Sequence, residues 1–193
     1  MKWMQPLLSL FCSVATLALG ASALAQSAGD ASDADKQFVS EALMGGMAEV
    51  QLGHVASQKG TSQDVKQFGQ KMVEDHTKMG GQMKGVASQV GVTPPTLLSP
   101  KDQVIKTRLE SLSGKQFDDA YIRAMVKDHE ADLKAFQNEA STGTSQAVKD
   151  AASQGATVVS MHLEMIKKIA ATHHVMVNSM EASVPKANVK TGQ

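Results

Sequence analysis

From Asp33 onward the chain repeats apolar residues at steps of three and four, the spacing that gathers them on one face of an α-helix. The clearest run is Val65, Phe68, Met72, His76, Met79, Met83, Val86 and Val90, a single unbroken seam. A second runs through Phe117, Tyr121, Met125, His129, Leu133, Phe136 and Ala140. Val148, Ala152, Gly155, Val159, His162, Ile166 and Ile169 form a third. A weaker one passes through Phe38, Ala42, Gly45, Glu49, Leu52 and Ala56. Gly45 and Gly46 each cost it about 1 kcal/mol in a helix interior, unless they let a neighbouring helix come close. Strand-like alternation is nearly absent.

The breaks between seams carry their own signals. Gly60 closes a first helix spanning Asp33 to Lys59, and Thr61 with Asp64 restarts the chain as a cap with an acidic first turn. Gly91 and Pro94-Pro95 stop the second helix. Ser99-Pro100-Lys101-Asp102 reads as a cap followed by proline at the first helical position, opening a short helix over about Asp102 to Leu112. Ser113 to Gln116 has capping-box spacing and starts the third long helix. Ser141 to Thr144 is a short turn into the fourth. The expected fold is all-α: a four-helix bundle over residues 33–172, with ferritin-like connectivity and a short crossover helix between helices two and three.

The stretch from Met1 to Ala25 reads as an address. Lys2 is followed by an uncharged apolar run from Leu7 to Gly20 and then by Ala23-Leu24-Ala25, the pattern of a secretory signal peptide cleaved after Ala25. The run is short for a bilayer span, which takes about 20 residues. Residues 26–32 read as a flexible start, and 173–193 as a frayed helix end and a disordered tail. No later segment is apolar enough to span a membrane, and no series of alternating segments points to an outer-membrane barrel. The expected address is the periplasm, or export more generally.

Composition narrows the chemistry. The 193 residues carry 19 basic and 19 acidic side chains, so nothing favours nucleic acid as a partner. The single cysteine, Cys12, lies in the predicted leader, which excludes a disulfide framework or a cysteine zinc module from the mature chain. Aromatics are only 4% of the chain while methionine appears 12 times, so methionine must fill much of any core. The sequence carries no nucleophile-elbow motif, no phosphate-cradling glycine loop and no zinc-protease motif, which favours binding over catalysis.

Polar residues interrupt the seams at one depth. Glu49, His76, His129 and His162 each stand about 15 residues into a helix, roughly 22 Å at 1.5 Å per residue, so one per helix would meet inside a bundle. Inward imidazoles and carboxylates are how bundles build metal sites, with copper, iron, zinc or manganese as the candidate ions and a small ligand as the other candidate occupant of the layer. Met72-Val73-Glu74-Asp75-His76 is echoed further on by Met125-Val126-Lys127-Asp128-His129. Asp75 and Asp128 are placed to orient the imidazoles from behind, or to cap a neighbouring group. A two-metal oxidase fits less well: it wants Glu-x-x-His twice, valine precedes each of the three histidines by three positions, and carboxylates are few. Thioethers on the same seams add a copper(I) reading beside simple core filling. The alternative to a ligand site is a hydrogen-bonded layer that only sets helix register in a structural or interaction protein of the cell envelope. His54 reads as solvent-facing and His173-His174 as incidental.

These motifs carry a resemblance. Gly45-Gly46-Met47-Ala48-Glu49, Val65-Lys66-Gln67-Phe68 and the first M-V-x-D-H are similar to one half of the bacterial domain of unknown function 4142 family. Ser113-Gly114-Lys115-Gln116-Phe117-Asp118, the second M-V-x-D-H and His162-Leu163 are similar to the other half. The resemblance covers about residues 36–170 and implies an exported, ferritin-like helical bundle. It supplies no reaction.

Overall fold

The structure, a computed structural model, describes residues 31–177. The predicted leader, most of the flexible start and the tail beyond residue 177 lie outside the described residues. Five helices follow one another: α1 (Asp33–Lys59), α2 (Gln63–Val90), α3 (Pro100–Ser111), α4 (Gly114–Thr142) and α5 (Gln146–Thr172). No strand occurs among the described residues. The two hairpins α1–α2 and α4–α5 pack on each other through α2 against α5 and α1 against α4, and α3 crosses beside α1 and α4.

Local chemistry sets the boundaries. Ser32 and Asp35 form a capping box at the start of α1. Gly91, with φ 74°, closes α2 in the left-handed region that glycine enters without steric cost. Ser99 caps α3 by accepting from the Asp102 N–H, with Pro100 in the first turn. Two expected caps differ. The N-cap of α2 is Ser62 rather than Thr61, and neither Ser62 nor Ser113 makes a side-chain cap bond. For α2 the donors are met from another helix: the Asp118 carboxylate of α4 accepts from the N–H groups of Thr61 and Ser62, both at 2.9 Å.

The opposite end of the molecule repeats this arrangement. Asp35 of α1 accepts from the N–H of Thr144 at 2.9 Å and of Ser145 at 3.3 Å, at the start of α5. The offset in sequence from Asp35 to Asp118 is the same as from Thr61 to Thr144 and from Ser62 to Ser145. The sequence itself repeats at that offset: Gly60-Thr61-Ser62-Gln63-x-Val65-Lys66 returns as Gly143-Thr144-Ser145-Gln146-x-Val148-Lys149. This offset is therefore the register that relates one hairpin to the other. The M-V-x-D-H echo follows a different offset and places its two copies on α2 and α4, which hold different positions in their hairpins.

Two apolar clusters form the core. One gathers Phe68, Met72, Phe117, Tyr121, Ile122, Met125 and Ile166 with their neighbours. The other gathers Phe38, Val39, Leu43, Met83, Phe136 and Val148. In every long helix, the sequence position between the two clusters is the one taken by Glu49, His76, His129 or His162. The close approach of α1 and α2 occurs at Gly53 and Gly69, where an added Cβ on either would meet the other's carbonyl oxygen at 2.7–2.8 Å. Gly45 and Gly46 do not provide it: a Cβ on Gly45 meets nothing within 4 Å.

Candidate metal centre

Glu49 of α1, His76 of α2, His129 of α4 and His162 of α5 lie together with at most 3% exposure each. Glu49 Oε2 is 2.7 Å from His76 Nδ1 and Oε1 is 3.3 Å from His129 Nε2. The imidazole centroids stand 6.0 Å apart for His76 and His129, 5.2 Å for His76 and His162, and 5.6 Å for His129 and His162. One ring nitrogen from each histidine falls within 4.8 Å of the other two. Phe68 flanks the group, its ring centroid 6.3 Å from His129 and 6.2 Å from His162.

Hydrogen bonds behind the rings decide which nitrogen faces inward. His129 Nδ1 is 3.0 Å from the Met125 carbonyl oxygen, so it carries the proton and Nε2 keeps its lone pair. His162 Nε2 is 2.7 Å from Asp75 Oδ2, which makes Nδ1 the free nitrogen. Lys71 steadies that aspartate at 2.9 Å. The 2.7 Å contact of His76 with Glu49 lacks hydrogen-bond alignment. As a result both nitrogens of His76, Nε2 of His129, Nδ1 of His162 and Oε1 of Glu49 are buried without a hydrogen-bond partner. An unmet buried polar atom costs about 1–3 kcal/mol. Five in one place define a site that a ligand would satisfy.

Burial also keeps the site close to neutral. It pushes Glu49 up to about 7, against the pull of His129, and holds His76 down at about 4. It depresses His129 and His162 as well, although Asp75 works against this at His162. Burial pulls Asp75 upward, but the bonds from Lys71 and His162 outweigh it and keep the carboxyl below its ordinary value. Neutral imidazoles are the form that ligates metal.

Some expected roles move. Asp75 orients His162 on α5 rather than its own neighbour His76. Asp128 orients no imidazole; it reaches Lys101 of α3 at 3.5 Å and offers an oxygen within 4.8 Å of oxygens of Glu49 and Asp132. Asp132 is the site residue that periodicity misses, since Leu133 beside it continues the apolar seam. Two signals mark it: it lies one helical turn after His129, and it is the hairpin-repeat equivalent of Glu49. Carboxylates are therefore less scarce at the centre than the seams imply.

A cavity of about 330 Å³ opens beside His76 between α2 and α5, lined in part by Gly46, Met79, Met83 and Met161. A Cβ added at Gly46 would stand 3.9 Å from His76 Nδ1, an ordinary van der Waals contact. Met72 and Met125 are core filling, at 0% and 1% exposure. His54 is exposed. His173 is not incidental: it closes α5 and meets Asp64 of α2 at 2.9 Å.

The family described as a domain of unknown function, DUF4142, matches residues 20–169. The chain belongs to this family. No curated protein matches it. Among solved structures, this DUF4142 chain is similar to a DUF305 fragment from Deinococcus radiodurans, with 15% identity and a TM-score of 0.66 over 74% of this chain and 98% of that one. It is also similar to a DUF305 protein from Streptomyces coelicolor, described as a candidate secreted protein, with 14% identity and a TM-score of 0.63 over 76% of this chain and 97% of that one. At such identities the likeness concerns the fold. No helix among the described residues is long and apolar enough to cross a membrane.

Proposed function

We propose that this DUF4142 protein binds a divalent transition-metal ion between Glu49, His76, His129 and His162, in an exported four-helix bundle of ferritin-like connectivity. The observation that carries the reading is the set of buried, unpartnered ligand atoms: inward lone pairs on His129 Nε2 and His162 Nδ1, an unbonded His76 ring and the free Glu49 Oε1. Three imidazoles with one carboxylate suit zinc, iron, manganese or copper and disfavour calcium and magnesium, which take oxygen ligands. Lone pairs on His129 Nε2 and Glu49 Oε1, 3.3 Å apart, repel each other unless a proton or a cation lies between them. The cavity beside His76 gives the ion a way in, and its methionines suit soft ions in transit. Export is supported by the apolar leader with its Ala23-Leu24-Ala25 end.

Metal-stripped mature protein, dialysed against copper, zinc, iron or manganese, tests the reading. The expected result is about one or more ions bound per chain and a raised melting temperature, as linkage requires of a ligand that binds the folded state. No uptake with unchanged melting rejects it and leaves a register-setting polar layer, with a proton on Glu49 filling the gap.

A further inference from the structure

Glu49 belongs to two groups of candidate ligands. Its two oxygens stand 2.7 Å from His76 Nδ1 and 3.3 Å from His129 Nε2. Asp128 and Asp132 each offer a carboxylate oxygen within 4.8 Å of the other and of an oxygen of Glu49. A second cavity, of about 80 Å³, touches Glu49, His76 and Asp132 together. Glu49 is 1% exposed and its Oε1 has no hydrogen-bond partner. A buried carboxylate beside two others is stable only if protons or a cation remove the charge.

The internal repeat gives independent support. Glu49 and Asp132 occupy the same position in the two hairpins, at the offset that relates Asp35 to Asp118, and both bear a carboxylate. At the equivalents of the three histidines stand Gly46, Met79 and Val159, none with a carboxylate or imidazole. The acidic pair is thus the only element of the centre that the repeat keeps in both halves.

We propose that Glu49, Asp128 and Asp132 form a second cation site, made of oxygen ligands alone, which shares Glu49 with the histidine site. It would take a hard divalent cation such as manganese(II) or iron(II). The centre then holds two cations, one in a nitrogen-rich and one in an oxygen-rich setting, with the Glu49 carboxylate between them. Asp132 is a direct ligand in this arrangement. Asp128 is the second, and its contact with Lys101 is the interaction the cation replaces. The proposal rests on the histidine reading through the shared glutamate.

The test loads the metal-stripped mature chain with manganese(II) alone, counts bound ions and records the electron paramagnetic resonance spectrum. The expected result is two ions per chain with the signature of a coupled pair. Asp132→Asn, with helical content unchanged, should hold one uncoupled ion, and Asp132→Glu should restore the second. Asp128→Asn reads the same loss through another residue should Asp132→Asn fail to fold. One ion in the wild type, unaffected by Asp132→Asn and lost in His162→Gln, overturns the second site and leaves the histidine site standing. One ion lost in Asp132→Asn but kept in His162→Gln overturns the shared pair. No manganese in the wild type overturns the second site as well, and zinc uptake by the same protein decides the histidine reading separately.

Discussion

Asp75 holds His162 from behind: Oδ2 of the aspartate on α2 lies 2.7 Å from Nε2 of the histidine on α5, which leaves Nδ1 turned toward His76 and His129. One hydrogen bond thus links two helices and selects the tautomer that can ligate. Lys71 fixes the aspartate in turn.

That relationship makes a prediction about Asp75→Asn. The amide can donate to Nε2, which moves the imidazole proton to Nδ1 and blocks the inward lone pair. Metal affinity should fall about 10- to 100-fold, the usual loss when the partner behind a ligating histidine is removed. Competition against a chromogenic chelator measures it. Unchanged affinity would show that Asp75 does not set the ring.

The two cross-hairpin caps should matter for stability alone. Asp118→Ala removes a carboxylate that accepts two backbone N–H groups at the start of α2. Hydrogen bonds to a charged acceptor contribute about 1.5–3 kcal/mol, so urea unfolding should show a loss of at least that size. Metal content per folded chain should not change. A loss smaller than about 0.5 kcal/mol, the lower end for even a neutral hydrogen bond, would mean that water replaces the carboxylate at no cost.

Glycine substitutions should act in opposite directions along α1. An alanine Cβ at Gly53 would lie 2.7 Å from the Gly69 carbonyl, so Gly53→Ala must push α1 and α2 apart at a cost of about 1–3 kcal/mol. Gly45→Ala meets nothing within 4 Å and gains helix propensity, so it should stabilise by up to about 1 kcal/mol. Thermal melts of the two variants check the contrast; an unchanged melt for Gly53→Ala would place the close contact elsewhere.

A carboxyl pair at the α4–α5 turn gives a pH dependence. Burial, then the hydrogen bond and charge of Asp35, push Glu139 up to about 7. A carboxyl raised in the folded state adds stability that is complete below its ordinary value near 4.5 and is lost as pH rises through about 7. Glu139→Gln keeps a neutral donor for Asp35 and removes this loss. Its melting temperature, relative to the wild type, should therefore climb between pH 5 and pH 8. A constant difference over that range would contradict the shared proton.

Much of this was legible in the sequence because helical spacing is a local property. The seam through Val65, Phe68 and Met72 needs no partner to be read, and neither does the depth of Glu49, His76, His129 and His162. What the sequence hid depends on geometry between helices. Thr61 and Ser113 carry capping signatures, yet the N–H groups at the start of α2 are met by Asp118, across the packed hairpins. Gly45 and Gly46 are as plausible for helix contact as Gly53 and Gly69 until the crossing point is known. Asp132 lies off the apolar stripe, so periodicity assigns it to solvent. The hairpin repeat is legible in G-T-S-Q-x-V-K, whereas the M-V-x-D-H echo has a different offset and does not relate the two hairpins.

The central claim is that three histidines and a glutamate hold a metal, and anomalous diffraction from crystals of zinc-loaded protein tests it most directly. The account predicts a peak enclosed by His76, His129, His162 and Glu49, with nitrogen and oxygen ligands at about 2.0–2.2 Å. A peak found only at peripheral groups such as His54 or the His173–Asp64 pair, or no peak at all, would contradict it.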